Sequence, residues 1–428
     1  MRTLIQRLDR IALASPARSL LLILSIALVL AGARLASNPP TLHEDQTDNW
    51  WPVALNVLHG NGFRHCLPLY FPACGPGNDL SAMREPLPVL VYAGLAFGRE
   101  DVWSVALFKV FLFLMILLLV HRLGRALGGE RAGLMAALAW ALYLPAVQVI
   151  PQVGGDLLAT LGCTGAVLTF RHAQDRGRVR DWAVAGAILG AAVLCRTAVM
   201  ALVVPLGLVL WRPWRGQGLR TRTAHAVVYG TAFLLLIAPW TLRNRAVFGE
   251  WVVGSTLTGY NLLRHNHHLG SEDLYRYIAA DEAEPVTNAV VDRHPELGPH
   301  PNEAQVDAVY RAEGRAIVAA HRWEHIKLSL WRAVPLWTNW GVVQAYGEAW
   351  KPVDTVMLVM QVILLLLFLE DLVEEAATTW WMALLVLVFC ATHMVVVCRM
   401  RYLLPVMPMV IALGARALDR HWRRALRV

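Results

Sequence analysis

Charge is what this chain has least of. Asp, Glu, Lys and Arg make up 16% of its 428 residues, hydrophobic residues 57%, and the charges fall in short runs between long apolar stretches. Soluble domains carry about 25% charged residues, so lipid is the main solvent expected here. Missing too are a Gly-rich phosphate loop following a strand and any Rossmann-like soluble segment, which argues against a nucleotide site. No heptad array, no repeat of about 20–50 residues and no linker marks off a separate soluble domain. The net charge of +8 is read as topological and facing anionic lipid, with no nucleic acid implied.

A bilayer core takes roughly 20 apolar residues as helix, because every backbone polar group must be satisfied within the segment. Such stretches lie at 19–35, 104–120, 133–150, 157–170, 226–239, 353–369, 380–397 and 402–417, and the long run 182–211 is split in two by Arg196. The segment 19–35 has no small-residue cleavage site and is read as a retained anchor. Arginine clusters at Arg122/Arg125/Arg131, Arg171/Arg176/Arg178/Arg180, Arg212/Arg215/Arg220/Arg222 and Arg420/Arg423/Arg424/Arg427 alternate with the basic amino-terminal arm. By the positive-inside rule both termini are then cytoplasmic. The acidic run Glu370, Asp371, Glu374 and Glu375 shares that side, and acidic residues count little in the rule.

The expected fold class is therefore an all-α polytopic membrane protein of about ten transmembrane helices, with two large periplasmic loops containing juxtamembrane helices. Residues 1–242 form a core that includes the first loop at 36–103, 243–352 form the second loop, and 353–428 supply the last spans and a basic tail. Within the second loop, 303–331 sets Val306, Val309, Ile317, Ala320, Ile326 and Leu330 at helical intervals with charges elsewhere, the pattern of an interfacial helix. Cys163, Cys195, Cys390 and Cys398 lie in spans as packing residues. Cys66 and Cys74 share the first loop, and an oxidising periplasm would join them as a disulfide.

The first loop opens on an acidic cluster, Glu44, Asp45 and Asp48, followed by a helical stretch 50–59 that Gly60-Asn61-Gly62-Phe63 ends, and then by Arg84-Glu85-Pro86-Leu87-Pro88. Asp156 precedes Leu157 and Leu158, and Cys195-Arg196-Thr197 interrupts the long apolar run. Farther on come Ala238-Pro239-Trp240-Thr241-Leu242-Arg243-Asn244, Phe248-Gly249, Gly259-Tyr260-Asn261-Leu262, and Arg399-Met400-Arg401-Tyr402 with Pro405 and Pro408. In this order the motifs resemble the GT-C glycosyltransferases, the group that includes the dolichyl-phosphate-mannose protein mannosyltransferases and the bacterial aminoarabinose and lipopolysaccharide-core transferases. The chain departs from the pattern at one place: with Gly60 aligned to the family's glycine, the usual catalytic Asp falls on Gln46.

The resemblance implies transfer of a sugar from a polyprenyl-phosphate-linked donor to a lipid, glycan or protein acceptor, at the periplasmic face of a bacterial inner membrane. Asp45 or Asp48 would be the base, a carboxylate at a membrane boundary being partly desolvated; Asp48 could instead cap the helix that follows it. Arg196, costly within a span, together with Arg243, Arg399 and Arg401, would bind the donor phosphate through bidentate forks. Interfacial anchoring is the simpler role for the last three. Glu44, Trp50, Arg84, Asp156, Asn266 and Tyr402 would line the substrate groove, although Asp156 also suits a helix start on dipole grounds. His265, His267 and His268 lack spaced acidic partners, so no metal or other cofactor is expected. A lipid or sugar transporter is the rival class, but the paired broken helices of such folds are absent.

Overall fold

A computed structural model describes residues 13–41, 49–72, 74–75, 79–211 and 218–427. Helix is the regular structure among them, apart from an isolated antiparallel bridge between Arg64 and Leu80. Among the described residues five helices are long and apolar enough to cross a bilayer: Pro16–Ser37, Val102–Gly128, Leu219–Phe248, Pro352–Glu375 and Thr379–Val396. The expectation of about ten spans is thus met in part. Residues 133–150 break at Leu142 and Tyr143 into Glu130–Ala141 and the single turn Leu144–Gln148, and a 12-residue helix rises only about 18 Å. Asp156–Arg176 and Met407–Arg427 are helical but carry more polar residues, and Val179–Cys195 is apolar but only 17 residues long. Arg196 stands in extended conformation between Val179–Cys195 and a 3-10 turn, Thr197–Leu202, that leads into Val203–Trp211. Pro239 lies inside the Leu219–Phe248 helix and does not stop it.

Lipid supplies no hydrophobic drive between helices, so close backbone approach through small residues holds such bundles together. Gly186 and Gly190 form that stripe. A Cβ on Gly186 would lie 2.1 Å from the Tyr229 carbonyl oxygen, and one on Gly190 would lie 3.0 Å from that of Phe233. At one end of the bundle the acidic run finds its partners: buried Asp371 receives Arg416 at 2.7 and 2.8 Å and Arg420 at 2.7 Å, and Glu374 meets Arg424 at 3.1 Å. The acidic end of the Pro352–Glu375 helix and the basic carboxy-terminal helix neutralise one another. Arg423 and Arg131 close the same end, on the Gly128 carbonyl and Asp419.

The segments expected outside the membrane pack together at the other end. Phe71 and Met83 join Leu257, Tyr260, Val306 and Tyr310 in one core. Glu303 is the fastener: its buried carboxylate accepts from the Ala82 amide, from Ser81 at 3.0 Å and from Thr256 at 2.8 Å. Asp307 accepts the Gly259 and Tyr260 amides and pairs with Arg311 at 2.6 Å. Cys66 and Cys74 are joined by a disulfide. The 303–331 stretch is helical but breaks at His321, giving Glu303–Ala320 and Arg322–Trp331.

Candidate functional site

Between the bundle and the outer layer lies a cavity of about 450 Å³. Its walls come from chain breaks rather than helix middles: Trp50, Arg84 and Glu85 from the first loop, Asp156 and Arg196 from two helix ends, and Arg401 and Tyr402 from the segment before the last helix. The segment that delivers Asp156 is pinned from both sides. Lys109, buried in the Val102–Gly128 helix, donates to the carbonyls of Val149 and Gln152, and Tyr92 donates to the Gly154 carbonyl at 2.7 Å. Asp156 starts its helix, as expected, and its carboxylate pairs with Arg196. The Arg196 guanidinium lies 4.4 Å from the Tyr402 ring, which stacks on His393 at 5.1 Å. Glu85 accepts the Thr197 amide at 2.8 Å and its hydroxyl at 2.9 Å, so the first loop grips the residue after Arg196.

Two further chambers share walls with this cavity. One, of about 580 Å³, is lined by Asn49, Arg264, His265, Tyr277, Tyr346 and Arg399, and meets the first at Arg84, Arg401 and Tyr402. The other, of about 390 Å³, includes Arg34, Lys351, Arg399 and Arg401. Arg401 touches all three. Lys351 also caps an apolar groove of about 840 Å³ that runs along Val356, Val359, Met360 and Ile363, beside Leu142.

Glu44, Asp45 and Asp48 lie outside the described residues. Asn49 sits in the left-handed region (φ 59°) at the cap position of the Trp50–Leu58 helix, without a side-chain cap bond, and its side chain meets His65 at 3.0 Å. Gly60 ends that helix with φ +79°, a conformation that favours glycine. The structure brings Trp50, Arg84, Asp156, Arg196, Arg401 and Tyr402 to one cavity and Arg399 to its neighbours.

Arg243 and Asn266 line none of these spaces. Arg243 donates to the Ser81 carbonyl at 3.1 Å and to Asn244 at 2.9 Å, and its guanidinium sits 5.1 Å from the Trp240 ring. It clamps the first loop to the outer end of its helix. Asn266 is fully buried, bonded to the Leu262 carbonyl at 2.7 Å and approached by Arg332. Arg332 in turn reaches the Val395 carbonyl at 3.0 Å, tying the second loop to a span end. Burial, and then the charges of Arg264, Arg332 and Arg399, hold His265 well below its ordinary pKa, so it is neutral. Among the described residues no group of three His, Cys, Asp or Glu is placed to hold a metal.

Sequence reading passed over Arg264, Tyr277, Tyr346, Lys351 and His393 as site residues and took Glu85 only as part of a motif. Except for the ionisable His393 and Lys109 within apolar spans, which stand out there, no local pattern marked them.

Residues 89–242 match the family model described as dolichyl-phosphate-mannose-protein mannosyltransferase. Among solved structures, the archaeal oligosaccharyltransferase AglB from Archaeoglobus fulgidus, in complex with an inhibitory peptide and a dolichol-phosphate, superposes with a TM-score of 0.54 at 14% identity, covering 95% of this chain and 50% of that one. The chain resembles the GT-C glycosyltransferases. The apo form of the A. fulgidus oligosaccharyltransferase gives a TM-score of 0.55 at 14% identity, over 95% of this chain and 52% of that one. ArnT from Cupriavidus metallidurans, bound to undecaprenyl phosphate, is similar at 13% identity over 94% of this chain and 77% of that one, with a TM-score of 0.42. This chain thus spans about half the length of the oligosaccharyltransferase structures that share its fold. No match was found among curated proteins.

Proposed function

We propose that the chain is an integral-membrane glycosyltransferase that moves a sugar from a polyprenyl-phosphate donor to an acceptor hydroxyl or comparable nucleophile on a periplasmic lipid, glycan or protein. The observation that carries this reading is the continuity of the spaces. An apolar groove on the outward face of the Pro352–Glu375 helix ends at Lys351, where a chamber lined by Arg34, Arg399 and Arg401 begins. Beyond Arg401 lies the cavity of Trp50 and Arg196. A prenyl chain fits the groove, its phosphate the cations, and its sugar the space beyond. Arginine forks suit such a phosphate, and the outer layer screens the space from water.

In the reaction the acceptor oxygen attacks the anomeric carbon as the bond from that carbon to the phosphate oxygen breaks. The electron pair leaves with polyprenyl phosphate, the acceptor proton passes to Asp45 or Asp48, and the configuration inverts. Asn49 and Trp50, the residues that follow Asp48, line these spaces, which supports the assignment of the base. Arg196 is already paired with Asp156, so Arg401 and Arg399 are the principal phosphate ligands and Arg196 orients Tyr402 beside them. The test is to incubate purified protein with a panel of polyprenyl-phosphate sugars and follow release of polyprenyl phosphate. The Asp45→Asn, Asp48→Asn double variant should keep donor binding and lose roughly 10²- to 10⁴-fold in turnover. Unchanged turnover would refute the assignment.

A further inference from the structure

The chamber beside the donor route is built around two cations whose partners among the described residues are neutral. Arg264 donates to the Ile278 carbonyl at 2.7 and 3.0 Å and to the Tyr346 hydroxyl at 2.9 Å. Arg399 donates to the Tyr277 hydroxyl at 2.8 Å and lies 4.6 Å from the Tyr346 ring. Both guanidiniums flank the Tyr277 ring, at 5.9 and 5.5 Å. Among the described residues neither has a carboxylate within ion-pair distance. Two other cations around the site are matched: Arg196 by Asp156 and Lys351 by Glu348 at 2.9 Å. Among the described residues Glu348 is the acidic one on the chamber wall, which Arg84, Arg264, Arg399 and Arg401 also line.

A sugar phosphodiester brings one negative charge, and the phosphate it releases brings up to two. The donor chamber already offers Arg34, Arg399 and Arg401 for them. Arg264 lies outside that chamber, and among the described residues its buried guanidinium is held by carbonyl and hydroxyl oxygens, so an acidic ligand would add a charge-assisted partner. We infer that this chamber takes a second acidic group of the substrate, a carboxylate or phosphate carried by the transferred sugar or by the acceptor. The inference rests on the glycosyltransferase reading. Arg264 would grip the acid with bidentate charge-assisted bonds, beside Arg399, which borders both chambers, and the Tyr346 hydroxyl would close over it. At 42% exposure, Tyr346 stands at the chamber mouth.

The test is binding to the full chain in lipid nanodiscs, which needs no knowledge of the true acceptor. Undecaprenyl phosphate, glucose, glucuronate and glucose 6-phosphate are titrated singly, the sugars also in the presence of saturating undecaprenyl phosphate, and undecaprenyl-phospho-glucose is compared with undecaprenyl-phospho-glucuronate. Two results support the inference. If the acid belongs to the acceptor, an acidic free sugar binds at least tenfold more tightly than glucose while undecaprenyl phosphate is bound. If it belongs to the transferred sugar, the glucuronate donor binds at least tenfold more tightly than the glucose donor. In either case Arg264→Gln should erase the preference and the milder Arg264→Lys should keep part of it, both leaving undecaprenyl phosphate binding within about twofold. Undecaprenyl phosphate that binds with no acidic preference in any arm, or acidic sugars that only compete with it, would overturn the inference and leave the glycosyltransferase reading standing. Failure of undecaprenyl phosphate to bind would instead count against that reading.

Discussion

Replacing Asp156 with asparagine removes one charge from a pair taken almost wholly out of water. Asp156 is 5% exposed, and its carboxylate meets Arg196, whose guanidinium lies against Tyr402. Breaking a buried pair from one side leaves the other charge uncompensated, at a cost of about 3–5 kcal/mol, whereas removing both charges together costs much less. An unfolding entropy of roughly 2.1 cal/mol/K per residue over 428 residues makes 1 kcal/mol equivalent to about 1 °C. The Asp156→Asn variant should therefore unfold at least about 3 °C below the parent in detergent. Arg196→Gln should fall similarly, and the double variant should recover about 2 kcal/mol relative to the sum of the two. The assay is a double-mutant cycle by thermal unfolding, followed by tryptophan fluorescence. Additivity within about 0.5 kcal/mol would show that the two residues are not coupled, and would remove the argument that Arg196 is held by Asp156 rather than left for the phosphate.

Gly186→Leu should separate the Val179–Cys195 and Leu219–Phe248 helices, because even a Cβ there meets the Tyr229 carbonyl oxygen at 2.1 Å; a variant with parental thermal stability would contradict the packing. Cys66→Ser should lower stability of the outer layer by about 2–3 kcal/mol, the chain-entropy value for so short a loop, and parental stability with the bridge absent by mass spectrometry would count against it. Burial pushes Glu303 up to about 7 and Asp307 up to about 6. Between their ordinary and raised values the folded chain binds more protons than the unfolded one, so their contribution is full below about pH 4 and is lost as pH rises through 6–7. The unfolding midpoint should drop from pH 5 to pH 8, and Glu303→Gln should flatten that drop. A midpoint that rises across this interval, with the slope unchanged in Glu303→Gln, would contradict it.

Much of the architecture was legible without the structure because lipid imposes a local rule: each crossing must satisfy its own backbone, so long apolar runs declare themselves one at a time. Pro16–Ser37, Val102–Gly128 and the break at Arg196 follow from that. The disulfide followed from two cysteines in one loop, and the acidic residues before Trp50 remain known from the sequence alone. Three-dimensional structure decided what no local rule reaches. The 133–150 stretch breaks at Leu142 despite its apolar composition. The acidic run at 370–375 answers the basic carboxy-terminal helix, as Asp371 does Arg416, rather than marking a side of the membrane. Of the arginines that looked alike as motifs, Arg401 and Arg399 reach the shared chambers, Arg196 is bound to Asp156, and Arg243 clamps a loop. Their roles differ because an arginine's chemistry depends on which carbonyls, rings and carboxylates surround it. Several of those neighbours are distant in sequence, 82 positions for Arg264 with Tyr346 and 206 for Arg196 with Tyr402.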